Sequence, residues 1–247
     1  MIDRIAVARK SGFRAVEIQF PYEIPLDHWI EKKRRLKMRF ALINVPAGDL
    51  TSGGPGLAAI PGREAEFRDA VQDCARYAKA LSVTVVNVLA GAPPAELDRA
   101  RCMEVFVENL RHAAGVMSDI GVRVVAEAIN SRARSGFLIS TTAECLQAID
   151  WAGHQNLSML YDLFHAQIME GDLLHTLETH MARIGHIQFA DVPARREPGT
   201  GEINFSSVFE AIDRLGYKGW VGAEYHPSAE TTDSLSWLNP YKQAQLI

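Results

Sequence analysis

Four apolar stretches in this sequence each stop on a side chain able to hold a cation: VRVVAE ends on Glu127, LSMLYD on Asp162, HIQ on Gln188 and WVGAE on Glu224. Three carboxylates and an amide oxygen gathered at one point would make an oxygen-rich pocket suited to a hard divalent cation, Mg2+ or Mn2+ in the first place. A lone acidic residue after a strand is most often a helix cap or a solvated rim residue. Four on successive stretches are a different case, because a barrel of alternating strands and helices brings the C-terminal ends of its strands around one mouth.

Strand side chains alternate in direction, which gives a parity test. Val125 with Glu127, Leu160 with Asp162, His186 with Gln188 and Gly222 with Glu224 fall on one face, and Ile187 with Phe189 on the other. With the apolar pair turned toward helices, all four candidates point into the barrel at its rim. Small Gly222 beneath Glu224 leaves room, and His186 beneath Gln188 suits either a lining role or a hydrogen-bonded core histidine.

The elements that must position these residues alternate along the whole chain. The spacing predicts a helix over Ile2–Arg9 closed by Gly12, a strand over Ala15–Phe20, a helix over His28–Leu36 and a strand over Arg39–Asn44. A Gly/Pro-rich loop follows, then helix Arg63–Ala80, strand Thr84–Leu89, helix Leu97–Ile120 and strand Arg123–Glu127. The rest reads as helix Thr142–Trp151, strand Leu157–Asp162, a helical stretch toward Met181, strand Ile184–Asp191, helix Ser206–Leu215, strand Trp220–Glu224 and a closing helical segment. Strict alternation implies a parallel sheet with helices outside, an α/β fold of the (β/α)8 TIM-barrel type. A closed barrel needs eight strands, and this reading has seven, so the expected fold is a TIM barrel lacking its first strand at the N-terminus. Either that strand lies upstream of Met1, or something else covers the two strand edges it would pair.

A chain of 247 residues, 47% hydrophobic, fits one barrel domain spanning residues 1–247. A net charge of −4 offers no footprint for phosphate backbones or anionic membranes, and no apolar run approaches the roughly 18 residues of a membrane span. A small molecule is the expected partner, with no nucleic acid and no membrane, and self-association of identical chains is compatible with the sequence. Cys74, Cys102 and Cys145 have no metal-site spacing and are odd in number, and the N-terminus lacks a signal peptide's apolar core. The expected location is the cytoplasm. The charge run Glu31–Lys37 reads as a solvated helix end, and Trp29, Trp151, Trp220 and Trp237 as packing residues.

The stretches GFRAVEIQFPYE (Gly12–Glu23), LINVPAGD (Leu42–Asp49), IPGREAEFR (Ile60–Arg68), YAKAL (Tyr77–Leu81), GHIQFADVPARREPGTGEINF (Gly185–Phe205) and GYKGWVGAEYHP (Gly216–Pro227) resemble the hydroxypyruvate isomerase family of xylose-isomerase-like TIM barrels. The resemblance covers nearly the whole chain. It implies that Glu127, Asp162, Gln188 and Glu224 are the metal ligands, that Glu127 and Glu224 are also the catalytic proton-transfer pair, and that the substrate is a small keto acid. The implied reaction interconverts hydroxypyruvate and 2-hydroxy-3-oxopropanoate (tartronate semialdehyde) through an enediolate. A proton next to the ketone becomes removable when the growing oxyanion is neutralised by a cation, and two carboxylates allow one to abstract and the other to deliver. Either glutamate can start.

His165, one helical turn beyond Asp162, is implied by the resemblance to contact a substrate oxygen. A carboxylate substrate also needs a fork of donors, and Arg195, favoured over Arg196, lies on the loop after the Gln188 strand. Asn44 and Gln19 are expected wall residues, and Glu202 in PGTGEI matches a feature of the family, with fixing the loop as its other reading. The chain departs from the family's pattern after Glu127, where Ala128 replaces the usual Pro and Arg134 enters in place of an acidic residue. That departure admits an isomerase of a longer 2-oxo acid of the 2-oxo-tetronate type; the other readings are a ketose epimerase needing no carboxylate-binding arginine and, from the missing first strand, a non-catalytic barrel acting as a binding protein.

Overall fold

The computed structural model describes residues 2–243. Strands β1 (Ala15–Ile18), β2 (Arg39–Asn44), β3 (Val85–Val88), β4 (Arg123–Glu127), β5 (Leu157–Asp162), β6 (Ile184–Phe189) and β7 (Val221–Ala223) form one sheet in sequential order, every neighbouring pair parallel. Helices α1 (Arg4–Lys10), α2 (Leu26–Leu36), α3 (Glu64–Leu81), α4 (Arg99–Ser118), α5 (Thr142–Ala152), α6 (Leu163–Met169), α7 (Leu173–His180), α8 (Phe205–Arg214) and α9 (Asn239–Gln243) connect or flank them. The sheet curls into a nearly closed barrel one strand short of eight, as the alternation predicts.

Two apolar layers hold it together. The larger lies between the sheet's outer face and the helices, with Phe40, Ile43, Val86, Val124, Ile187 and Phe189 among its members. The smaller fills the barrel: Leu42, Val85, Val125 and Leu160, one from each of β2 to β5. Each inner residue lies two positions before the rim residue of its strand, so the apolar floor and the polar mouth follow from one alternation.

Strand burial reports the incomplete closure. All residues of β3 and β5 are buried, whereas β1 and β7, whose ladders lie on one side only among the described residues, are half-buried or exposed. Helix ends follow local chemistry. Thr141 and Glu144 form a reciprocal capping box at α5, Asp98 caps α4 and Asn204 caps α8.

Three expectations from the sequence need adjustment. The strand expected over Ala15–Phe20 stops at Ile18, where Pro21 opens a 3-10 turn. The helical stretch toward Met181 divides into α6 and α7 at Gly171 and Asp172, both with positive φ (66° and 46°). Trp151 is not packed inside: it is 55% exposed near the end of α5, where its carbonyl accepts from Arg111 at 2.9 Å. The three cysteines are buried free thiols. No helix among the described residues is long and apolar enough to cross a membrane.

Candidate active site

Glu127 and Asp162 end β4 and β5, Gln188 sits on β6, and Glu224 directly follows β7. The first three are buried, and Glu224 keeps a quarter of its side chain exposed beside the sheet opening. Asn44 and Asn87, paired in register on β2 and β3, take the corresponding rim positions, so six successive strands each offer a polar side chain to the mouth.

Neighbours fix how these groups face. Asn87 Nδ2 donates to Glu127 Oε2 at 2.7 Å. Asp162 Oδ1 caps α6 by accepting from the Phe164 N–H at 2.8 Å, and the first turn of that helix carries His165 back over the mouth. His165 Nε2 then lies 3.5 Å from Asp162 Oδ2 and 3.8 Å from Glu127 Oε1. The backbone N–H of Asn130 donates to His165 Nδ1 at 3.2 Å, with the Asn130 amide nitrogen at 2.6 Å from the same atom. Arg195 Nη1, which can only donate, faces Nε2, so donors stand at both ring nitrogens of this imidazole. Burial pushes the His165 pKa down to about 4, with Asp162 opposing and Arg195 assisting, so the ring is neutral near pH 7.

Arg195 enters from the loop after β6. Its Nη2 donates to Asp162 Oδ2 at 3.1 Å and to Glu224 Oε2 at 2.6 Å, Nη1 lies 2.8 Å from His165 Nε2, and the guanidinium stands 4.7 Å from the centre of the Phe164 ring. Buried Asp191 shapes the loop by accepting the backbone N–H groups of Val192, Gly199, Gly201 and Ile203 at 2.8 to 3.1 Å. The Arg195 backbone is left-handed (φ 52°), and its carbonyl accepts from the His226 N–H at 2.7 Å, tying this loop to the one after β7. Glu202, on the same loop, stays on the exposed rim, where it accepts from Gln167 at 3.2 Å.

The charges are strongly coupled. Burial, then Glu224 and Asp162, raise the Glu127 carboxyl well above its ordinary value. Burial brings Glu224 to about 7, with Asp162 and Glu17 adding to the rise and Arg195 working against it. Burial alone would lower the Arg195 guanidinium, but Asp162, Glu224 and Glu127 together outweigh it and raise it.

The residues fit a hard divalent cation. Ligand atoms of Glu127, Asp162 and His165 lie within 4.8 Å of one another. Gln188 Oε1 is buried with no hydrogen-bond partner, while its Nε2 donates to Glu17 Oε2 at 2.6 Å, so a bare carbonyl oxygen is presented to the mouth. The carboxylates of Glu127 and Asp162 and the Gln188 carbonyl make an oxygen-rich set beside the His165 ring. A cation among these carboxylates would compete with the Arg195 guanidinium for them.

The sequence model of the xylose isomerase-like TIM barrel matches residues 5–241. The chain belongs to the xylose isomerase-like TIM-barrel family. Over 240 residues it is 42% identical to a 2-oxo-tetronate isomerase of Cupriavidus necator, covering 97% of this chain and 92% of that one. It is 41% identical to the hydroxypyruvate isomerase of Escherichia coli, covering 97% and 93%. A crystal structure described as an AP endonuclease, family 2, from Brucella melitensis superposes with a TM-score of 0.94 at 38% identity, covering 97% and 93%. This xylose isomerase-like chain is, by that kinship, an enzyme of the isomerase type.

Of the residues singled out in the sequence, the fold brings Glu127, Asp162, Glu224, His165 and Arg195 into contact, sets Gln188 in register beside Asp162, and lets Gln19 reach the group by donating to Glu224. Asn44 is buried at the rim, its carbonyl accepting from the Tyr22 hydroxyl at 2.5 Å. Glu202 is not drawn into the cluster. Sequence reasoning passed over Glu17, Asn87 and Asp191. The first two carried a readable signal, a polar side chain at inward parity inside an apolar strand.

Proposed function

We propose that this xylose isomerase-like chain is a metal-dependent isomerase of a short 2-oxo acid, interconverting hydroxypyruvate and 2-hydroxy-3-oxopropanoate through an enediolate. The observation that carries the reading is the convergence of Arg195 and His165, with Nη1 and Nε2 2.8 Å apart, between two glutamates whose pKa values are raised. A keto acid entering beside them would place its carboxylate on the arginine fork and its adjacent keto oxygen beside the imidazole.

Glu127, Asp162, Gln188 and Glu224 would hold the cation, whose contribution when bound is to neutralise charge growing on the substrate oxygens. Glu127 and Glu224 come from strands three apart in the sheet, so they approach a bound substrate from different sides. One removes a proton from the hydroxymethyl carbon and the other returns a proton to the former keto carbon, while a hydroxyl proton passes to the new hydroxyl group. The product is an isomer, and no oxidant enters. Burial, which raises both carboxyl groups above the ordinary carboxylate range and brings Glu224 to about 7, suits them to proton transfer. Asn87 and Gln19 hold Glu127 and Glu224 in place, and Asn130 holds the His165 ring at Nδ1.

A 2-oxo-tetronate, one carbon longer, is the second substrate to test, since the two relatives named above divide between these acids. A phosphodiester substrate is less well supported: the mouth holds one histidine among the cation-capable groups, and the chain's net charge is −4. The test is turnover of hydroxypyruvate and of 2-oxo-tetronate by the purified chain with Mg2+ or Mn2+, before and after chelation. Glu127→Gln and Glu224→Gln should each lower kcat by about 10^2 to 10^4. Arg195→Ala should raise KM for the keto acid and leave any turnover of a free ketose unchanged. Full activity in either glutamine variant would sink the mechanism.

A further inference from the structure

Glu17 stands on β1, outside the group of rim residues, and its carboxylate is committed on both oxygens. Oε1 accepts from His186 Nε2 and Oε2 from Gln188 Nε2, each at 2.6 Å, with 16% of the Glu17 side chain exposed. His186 and Gln188 are both buried. A primary amide has one donor end and one acceptor end, and a carboxylate takes only the donor end. While Glu17 holds Gln188 Nε2, the amide carbonyl Oε1 must face the other way, and that oxygen is the buried atom with no partner. A flipped amide would set its carbonyl against the carboxylate and turn an NH2 group toward the cation-binding carboxylates.

The surroundings are built for this contact. β1 and β7 are not hydrogen-bonded to each other among the described residues, and Glu17 reaches β6 across that opening. Gly222, on β7, lies against it, and a Cβ added there would collide with the Glu17 carboxylate. The glycine thus keeps the space that Glu17 fills.

We infer that Glu17 is a positioning residue: seated by His186 and given room by Gly222, it sets the orientation of the Gln188 amide so that its oxygen, and not its nitrogen, is offered to the divalent cation. The inference rests on the metal-site reading above and adds to it a residue that touches neither the cation nor the substrate.

The test is Mn2+ binding to the metal-free chain, followed by the electron paramagnetic resonance signal of the free ion, with circular dichroism melts to show that each variant is folded. Glu17→Met keeps the length of the side chain and removes both acceptors, and it should raise the Mn2+ Kd by about 10- to 100-fold, the usual cost of losing an outer partner of a ligand. Glu17→Gln keeps one acceptor for Gln188 and should recover most of that loss. In the Gln188→Ala background, Glu17→Met should add nothing further. Gly222→Ala, which displaces the carboxylate without removing it, should weaken binding in the same direction, and should have no effect once Glu17 is Met.

Wild-type affinity in Glu17→Met, or an equal loss with and without Gln188, would overturn the inference. A wild-type chain that binds no Mn2+ would overturn the metal-site reading first, and this inference with it. The two failures are therefore told apart by the wild-type titration alone.

Discussion

Carboxyl groups buried beside one another hold their protons, and an imidazole buried beside a guanidinium gives its proton up. In the site of this chain both effects occur within a few ångströms, and their pH dependences have opposite signs. Glu224 is raised to about 7 from an ordinary 4.5, chiefly by burial. Between those values the folded chain binds more protons than the unfolded chain, so stability falls as pH rises through the window. His165 is lowered to about 4 from 6.5, again chiefly by burial, so its contribution is lost as pH falls from 6.5 toward 4. The Glu224→Gln variant removes the first effect, together with the push that Glu224 gives Glu127, and leaves the histidine common to both proteins. With metal chelated, melting temperatures of wild type and Glu224→Gln should lie closest near pH 5, and the variant should be the more stable at pH 8. Curves that stay parallel from pH 5 to 8 would show that burial does not raise this carboxyl. A bound cation should reverse the order, since it favours the charged glutamate that the variant lacks.

At the scale of elements, the parity of the strands was the legible part. β2, β4 and β5 run over the residues that their patterns predict, because each carries an uninterrupted apolar alternation that ends on a polar side chain. From that alone the inward row Val125–Glu127 and Leu160–Asp162 follows; the spacing allows His165 to return over Asp162 in one helical turn, and the family resemblance gave it a place in the site. Glu17 and Asn87 had the same inward parity, but the meaning of a polar residue within a strand depends on its partner across the barrel, which local pattern does not contain. Arg195 was found by its chemistry, not its geometry. Its entry into the site depends on Asp191, which gathers four N–H groups of the following loop onto one buried carboxylate. Asp191→Ala would leave those donors without their acceptor and should destabilise the chain by about 3 kcal/mol, measured by urea unfolding. It should also raise KM for the keto acid by loosening Arg195, with a smaller change in kcat. A KM equal to wild type in the folded variant would show that Arg195 is positioned by its own ion pairs and not by the loop.

For the whole molecule, the consequence of a seven-stranded sheet is that side chains, not a backbone ladder, span its opening. Glu17 reaches His186 and Gln188, Gln19 reaches Glu224, and the Arg39 guanidinium lies 6.0 Å from the Trp220 ring centre. Two of these links end on residues proposed to hold the cation, which couples barrel closure to metal loading. A cation bound only by the folded chain stabilises it by RT ln(1 + [L]/Kd), about 2.7 kcal/mol at one hundred times Kd. For a chain of 247 residues that corresponds to a rise in Tm of about 5 to 10 °C. Calorimetric scans with Mn2+ and with chelator should show this separation in the wild type. It should shrink in Gln188→Ala, which removes a ligand, and in Glu17→Met, which removes the link across the opening and the orientation of that ligand together. If Mn2+ leaves the wild-type Tm unchanged at concentrations that support turnover, the cation does not bind where the sheet is open, and the carboxylate cluster at the mouth has some other occupant.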